Sequence, residues 1–401
     1  MSDSCGFDAG DWRVRAHRKR AADNGCGGIH RAYVCLRAGV FAIAALIFAA
    51  AFGGDAAAQV GPGPGPGPGG GGNNPVPVAT SNAHRSSQAT LFDVGSQFLQ
   101  RFNAVYSFRT AASAANNPQG GGAEPSAEQR YRTWFEGYGL RSHTDARGDF
   151  TGDSRKTYGG VAGVGATVAR GLNLGISVDQ SQSIINVAGL AQRGRIDLTQ
   201  VGAIAGYENG PWNINATLVR GFGDVHSSRV DVGGASTAAY QAGLWAAMAE
   251  FDYYWALPDN TRLVPKLTFD WMRTRTDAFT EIGGTTPIAG SAVTASRVRM
   301  LIGGELGHSW LVDRRIMDVS AYARFVDNLS QNIGAIQISD TTGVNLPQFV
   351  AGIRESNLGA DAGAALSAKV TDAMRLYIVY DGRFRSNLTS HSGTVGAEFR
   401  W

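Results

Sequence analysis

Cysteine is missing from most of the chain: the three residues, Cys5, Cys26 and Cys35, all lie before residue 60. A protein that crosses an oxidising periplasm avoids thiols in this way, because stray ones would mispair there. Long apolar runs are also missing. Hydrophobic residues make up 43% of the chain and charged ones 17%, yet no stretch after residue 60 stays apolar for long. That excludes a bundle of membrane helices, each of which needs about twenty consecutive apolar residues. A soluble β-protein and a membrane barrel both stay open, since a barrel strand needs apolar residues only on its lipid face. A strong charge of either sign is absent too. Residues 1–59 hold 7 of the 36 Lys+Arg and 5 of the 33 Asp+Glu, so the remainder is almost neutral. No basic field recommends nucleic acid as a partner.

What is present begins with an export signal. Arg13, Arg15, Arg18, Lys19, Arg20, Arg31 and Arg37 form an extended basic region, the apolar run Ala38–Phe52 follows, and Ala56-Ala57-Ala58 supplies small residues at the cleavage-determining positions. Residues 1–58 are expected to be a secretory signal peptide cut between Ala58 and Gln59; the apolar run is too short for a spanning anchor. Residues 59–89, rich in Gly and Pro, have no side chains with which to build a core and read as a disordered linker. Leu91, Val94, Phe98, Phe102 and Val105 then recur at helical spacing. The spacing predicts a helix from about Thr90 to Ala114, with Thr90 and Asp93 as a capping box and Asn116-Asn117-Pro118 as the stop. Alone it would be marginal, so it must pack against something. Residues 90–126 are read as this helix and a linker, and residues 127–401 as the main domain.

From Arg130 onward the apolar period is two. Leu172, Leu174, Ile176 and Val178 alternate with Asn173, Gly175, Ser177 and Asp179, and Met317–Phe325 and Leu358–Leu366 repeat the pattern. Five short turns, at 169–171, 209–211, 258–260, 312–314 and 370–372, alternate with longer polar stretches near 142–153, 180–194, 223–236, 276–292, 327–352 and 383–391. That makes six hairpins and twelve antiparallel strands, the loop asymmetry of an outer-membrane barrel. By strand parity Tyr207, Trp212, Trp255 and Trp310 near the short turns, and Trp245 and Trp271 at the opposite ends, fall on the apolar face as two interfacial girdles. Trp245 to Trp255 covers about 33 Å of strand, which a tilt near 45° reduces to roughly 23 Å, close to the height of an apolar band. Glu136, Glu250, Asp252, Lys266, Asp270, Glu305, Arg324, Asp361, Arg375 and Arg400 fall on the other face, where a wet lumen would hold them. A soluble lipocalin-type barrel would reverse that polarity.

The twelve-strand region, the helix just upstream and the last strand, Gly393-Thr394-Val395-Gly396-Ala397-Glu398-Phe399-Arg400-Trp401, together resemble the translocator (β-domain) of the autotransporters. The resemblance implies an all-β transmembrane barrel of type V secretion, with the helix in its lumen and a passenger carried to the cell surface. It also implies that Val395, Ala397, Phe399 and Trp401 form the signal read by the outer-membrane barrel assembly machinery, after export by the Sec translocon. One feature departs from the family: only about thirty residues, mostly Gly, Pro and Asn, separate the cleavage site from the helix. The expectation is therefore a translocator with little or no passenger, displaying a short segment or its own loops. The alternatives are a structural or adhesive surface barrel acting through its loops, and a small diffusion pore plugged by the helix.

Chemistry is not expected. Gly152-Asp153-Ser154 matches a GDS-type nucleophile motif without its α/β context. The mature histidines (His84, His143, His226, His308, His391) lack metal-ligand spacing and read as solvated loop residues. Glu250 and Asp252 share one lumen face, where pairing with cations is favoured over acid–base work. Some autotransporters release a passenger through attack by a lumenal Asn on its own backbone, but here Pro118 follows Asn116-Asn117 and favours a simple stop. No cofactor and no metal is implied. The expected partners are outer-membrane lipid and lipopolysaccharide, and the expected state is a monomer in the outer membrane.

Overall fold

The structure is a computed structural model, and it describes residues 75–115, 130–231, 233–312, 315–342 and 345–401. The expected signal peptide with its expected Ala58/Gln59 cleavage site, residues 60–74 of the expected linker, and Asn116-Asn117 lie outside the described residues.

A 3-10 turn, Val78–Ser81, leads into one helix, α1, Asn82–Ala115. Twelve long strands follow among the described residues: β1 Tyr131–Thr144, β2 Asp153–Ala169, β3 Leu172–Val187, β4 Gln192–Asn209, β5 Trp212–Asp231, β6 Gly234–Tyr253, β7 Thr261–Thr276, β8 Val293–Val312, β9 Arg315–Asn332, β10 Leu358–Lys369, β11 Met374–Arg385 and β12 Leu388–Arg400. Each pairs antiparallel with its neighbours, and β12 pairs with β1 from Arg132↔Arg400 to Thr144↔Leu388. The ring is closed. Tyr131 and Trp401 complete the seam with two backbone hydrogen bonds of 2.8 and 3.0 Å. An open edge in hydrocarbon would leave backbone groups unpaired at several kcal/mol each.

The wall is inside-out relative to a soluble protein. On β3, Ile176 is 59% exposed while Asp179, three residues on and facing inward, is fully buried. Val164, Leu174, Val201, Leu218, Leu306 and Ile378 likewise face outward. This arrangement makes sense only where the outside is apolar. Tight turns join the strands at the end that carries Trp401; in the Pro258–Thr261 turn, Asp259 and Asn260 adopt φ of 56° and 53°, the geometry that suits a two-residue hairpin.

Three expectations are corrected at the opposite end. The polar stretches at 180–194, 223–236 and 383–391 are not long loops: β3 to β6, β11 and β12 run on through them, β5 reaching Asp231 and β6 starting at Gly234, with turns at 188–191 and 386–387. In water the ladder needs no apolar face, so pairing continues beyond the apolar band. The two truly long connections, 277–292 and 333–357, form a small sheet of their own from Phe279–Thr280, Ile288–Gly290, Ala335–Asp340 and Gln348–Ala351. Finally, α1 starts eight residues before Thr90. Thr90 is no cap; its hydroxyl donates to the Ser86 carbonyl inside the helix, at 2.7 Å.

The outward row of the last strand is Val395, Ala397 and Phe399, with Thr394, Gly396 and Glu398 inward. Deleting Phe399–Trp401 is expected to abolish insertion while leaving export intact, so that the product collects in the periplasm, as fractionation and the loss of a heat-modifiable band would show. Arg400→Ala should insert almost normally. Wild-type levels of truncated protein in the outer membrane would contradict this.

Candidate functional site

The site is the lumen, and α1 fills it. The helix lies against the inner wall from β2 to β7, closest to β3, β4, β5 and β7. Its apolar residues Leu91, Val94, Phe98, Leu99 and Phe102 are buried with Trp134, Leu198, Val219, Leu244 and Met272 of the wall. Phe102 meets Phe98 and Trp134 at ring-centroid distances of 5.7 and 5.8 Å. Missing side chains make the fit possible: a Cβ on Gly202 would come within 2.8 Å of the Phe102 ring, and one on Gly95 of α1 within 3.0 Å of Met272. The lumen is thus half apolar, which parity alone did not reveal, since the strand residues facing it are mostly small or polar elsewhere.

The polar side of α1 is buried as well, and ion pairs and hydrogen bonds replace water along its length. Near the long-loop end Arg85 reaches Asp149 at 3.1 Å, and Asn82 donates to Thr151 at 3.2 Å. Two turns further in, Asp93 pairs with Arg155 at 3.0 Å. Ser96 accepts from Arg297 at 2.6 Å and Arg299 at 3.1 Å, and Arg383 donates to Gln97 at 2.9 Å. At mid-height Arg101 lies 3.0 Å from Asp179 and 3.7 Å from Glu136, with its guanidinium 3.5 Å over the Tyr138 ring. Toward the short-turn end Asn103 donates to Glu250 at 2.5 Å, and Arg132 to the Val105 carbonyl at 3.2 Å. A charge in so dry a place requires its partner, or it costs several kcal/mol.

The structure places all ten expected lumen charges on the inner wall. Glu136 and Glu250 touch α1 directly. Glu250 also lies 3.9 Å from Arg324. Lys266 pairs with Glu305 at 3.1 Å, Asp270 with Arg299 at 2.6 Å, and Asp361 with Arg385 at 2.9 Å. Asp252 accepts from Asn213 at 3.3 Å, and Arg375 and Arg400 converge on Glu398. Trp212, Trp245, Trp255 and Trp310 are exposed on the outside, with Tyr207 and Trp271 half-buried there. His84 is a correction: it is no solvated loop residue but buried in α1, stacked on Phe279 at 3.6 Å with Nδ1 3.1 Å from the Tyr240 hydroxyl. Asp153 of the Gly152-Asp153-Ser154 motif faces inward, 3.5 Å from Arg155.

Sequence reasoning missed the outer seal. Glu355, in the connection after Gln348–Ala351, folds back into the mouth and lies 2.5 Å from Arg297 and 3.6 Å from Arg385. Parity puts Arg297, Arg383 and Arg385 inside; Asp361 on the wall already meets Arg385, and the folded loop adds the carboxylate that meets Arg297. Between α1 and the facing wall, Arg101, Asn103, Glu250, Lys266, Arg324 and Asp381 line a cavity of about 70 Å³. Among the described residues no group of three or more His, Cys, Asp or Glu is arranged to hold a metal.

A closed barrel of this strand number around one helix has known counterparts. A family model, the autotransporter β-domain, matches residues 133–381. The chain belongs to that family. The translocator domain of the autotransporter NalP from Neisseria meningitidis is similar over 80% of this chain and 100% of its own, with 15% identity and a TM-score of 0.57. The β-domain of the Bordetella autotransporter BrkA is similar over 68% of this chain and 100% of its own, with 19% identity and a TM-score of 0.51. At such identities the likeness concerns the fold alone. Comparison with curated proteins gave no match. This autotransporter barrel is an outer-membrane protein of type V secretion.

Two outcomes test the lumen. Arg101→Met leaves Asp179 and Glu136 uncompensated and is expected to destabilise the barrel by roughly 3–5 kcal/mol, measured by denaturant unfolding in detergent; an unchanged midpoint would contradict the pairing. The Glu355 carboxyl would be raised by burial alone, but the guanidiniums of Arg297, Arg385 and Arg299 outweigh that and hold it below the usual range. Its folded pKa is thus depressed, so the seal contributes stability above about pH 4.3 that is lost as pH falls through the lower folded value. Hydrogen-exchange protection of residues 352–357, taken relative to the intrinsic rate at each pH, should therefore be constant from pH 5 to 8 and fall in acid.

Proposed function

We propose that this autotransporter translocator holds α1 in its lumen as the trailing end of a short exported segment, and displays residues upstream of Pro75 at the cell surface without a folded passenger. The observation that carries this reading is the direction of α1. Its first turn is tied to the long-connection end, through Arg85 to Asp149 and through Ala83 to Gln192 at 3.1 Å. Its later part reaches Glu250 and Arg132 toward the short turns. Before it, Pro75 forms a bridge with Leu346, and the Val76 N–H donates to the Leu346 carbonyl at 3.2 Å. In an outer-membrane barrel the short turns face the periplasm, so a chain running this way brings Pro75 to the outer side. Signal cleavage after Ala58, a linker that gives way to the turn at Val78–Ser81 and to α1 at Asn82, and the barrel at 127–401 complete the proposed organisation. Assembly by the outer-membrane machinery through Val395, Ala397, Phe399 and Trp401, a monomeric state and a non-catalytic role belong to the same reading.

A second reading, adhesion through the outer connections, is favoured by Ile282 and Phe349, exposed by 77% and 68% beside that small sheet. A cysteine placed at Pro75 separates the two. Because the chain has no cysteine after residue 35, a membrane-impermeant maleimide on intact cells should label Pro75→Cys at that site alone. Labelling that requires permeabilised cells would refute display.

A further inference from the structure

The outer wall carries a polar groove that the translocation reading leaves unused. It spans β4 to β8 on the lipid-facing side, encloses about 990 Å³, and is layered by level. The lowest row sets Arg220, Trp245 and Arg273 side by side across β5, β6 and β7. In the next row Phe222, Gly243 and Arg275 are neighbours. The row nearest the long connections pairs Asp224 with Gln241, whose carbonyl accepts from the Asp277 N–H at 2.9 Å.

Three features distinguish this from a scatter of surface charge. Arg220 is held: its guanidinium lies 4.7 Å over the Phe222 ring and 5.1 Å over Trp245, and Nη1 donates to the Leu244 carbonyl at 3.1 Å. It fills the notch left by Gly243, where a Cβ would stand only 3.2 and 3.3 Å from its two Nη atoms. Cation–π contact with the rings fixes one face and leaves other N–H groups for a ligand. Arg220 and Arg273 also sit at the level of Trp245, where the apolar band ends; Val201, exposed by 45%, stands beside Arg220 on β4, and Leu218, exposed by 43%, comes below it on the same face. A cation facing lipid costs roughly 2–4 kcal/mol at the midplane but about 0–1 near the interface, so this level is the headgroup zone of the outer leaflet. Finally, Asp224 and Asp277 stand on the aqueous side of Arg220, Arg273 and Arg275, with Asp277 3.5 Å from Arg275 and Asp197 level with Asp224.

We propose that this groove binds a phosphorylated glycolipid headgroup of the outer leaflet, the chemistry of lipid A. Phosphate sits on Arg220, Arg273 and Arg275, where planar guanidinium forks match its oxygens. The sugar hydroxyls reach up to Asp224 and Gln241, and the acyl chains run down past Trp245, Trp271 and Leu218. A glycerophospholipid supplies the phosphate and the chains but no sugar for the upper row. Free phosphate supplies neither.

The experiment uses the refolded full barrel in detergent, with its gel shift on boiling as the check on folding, and reads bound lipid by native mass spectrometry. Lipid A, dephosphorylated lipid A, phosphatidylglycerol and sodium phosphate are compared. Lipid A is expected to bind best, and the variant R220Q/R273Q/R275Q to lose at least about ten-fold in affinity for it. Dephosphorylated lipid A should bind weakly and equally to both proteins, and phosphate should compete poorly. Arg141→Gln with Lys156→Gln, elsewhere on the outer wall, should leave lipid A binding unchanged. If the triple variant fails the folding check, Arg275→Gln alone, at an exposed position, should still weaken lipid A by about three-fold. Undiminished lipid A binding by the arginine variants would overturn the proposal. So would equal affinity for phosphatidylglycerol, which would mean a generic anionic-lipid contact. Neither result bears on the direction of α1 or on display.

Discussion

Everything in this molecule depends on the pairing of β12 with β1. A membrane strand has no water to satisfy its backbone, so the sheet must close or fail. Twelve strands close around a space wider than their own small inner side chains can fill, and the space must then be occupied or wet. The helix occupies most of it. The barrel therefore needs α1 as a core almost as much as α1 needs the barrel, since a helix this polar would not hold its shape alone in water.

How the lumen is filled explains its composition. One side of α1 is apolar and seats on the wall from β3 to β7, where Gly202 makes room for Phe102. The other side carries Asp93, Ser96, Gln97 and Arg101 toward strand arginines and carboxylates. Such pairs are weak evidence for net stability, because desolvation offsets much of the attraction. Their better use is register: Arg101 finds Asp179 and Glu136 only when the helix sits at one depth and one rotation.

The outer wall was legible in the sequence because it obeys a period of two for lipid and nothing else, as Leu172–Val178 illustrates. Strand number and closure followed from the same pattern. The start of α1 was not legible, since Asn82–Gln88 has no apolar stripe and is buried on all sides by barrel and loops rather than by a hydrophobic face. His84 was misjudged for the same reason. Loop lengths were misjudged where strands continue into water, as in β5 and β6. The Glu355 seal depends on a contact between residues 58 positions apart in the chain, which no local pattern announces.

The central claim is that α1 fills the lumen from the outer mouth to the periplasmic end. Single-channel conductance in planar bilayers tests it most directly, comparing the mature chain with one lacking residues 60–115. The mature chain is expected to be almost closed, and the deletion to open a stable pore with the conductance of an empty twelve-stranded barrel. Equal conductance from the two proteins would contradict it.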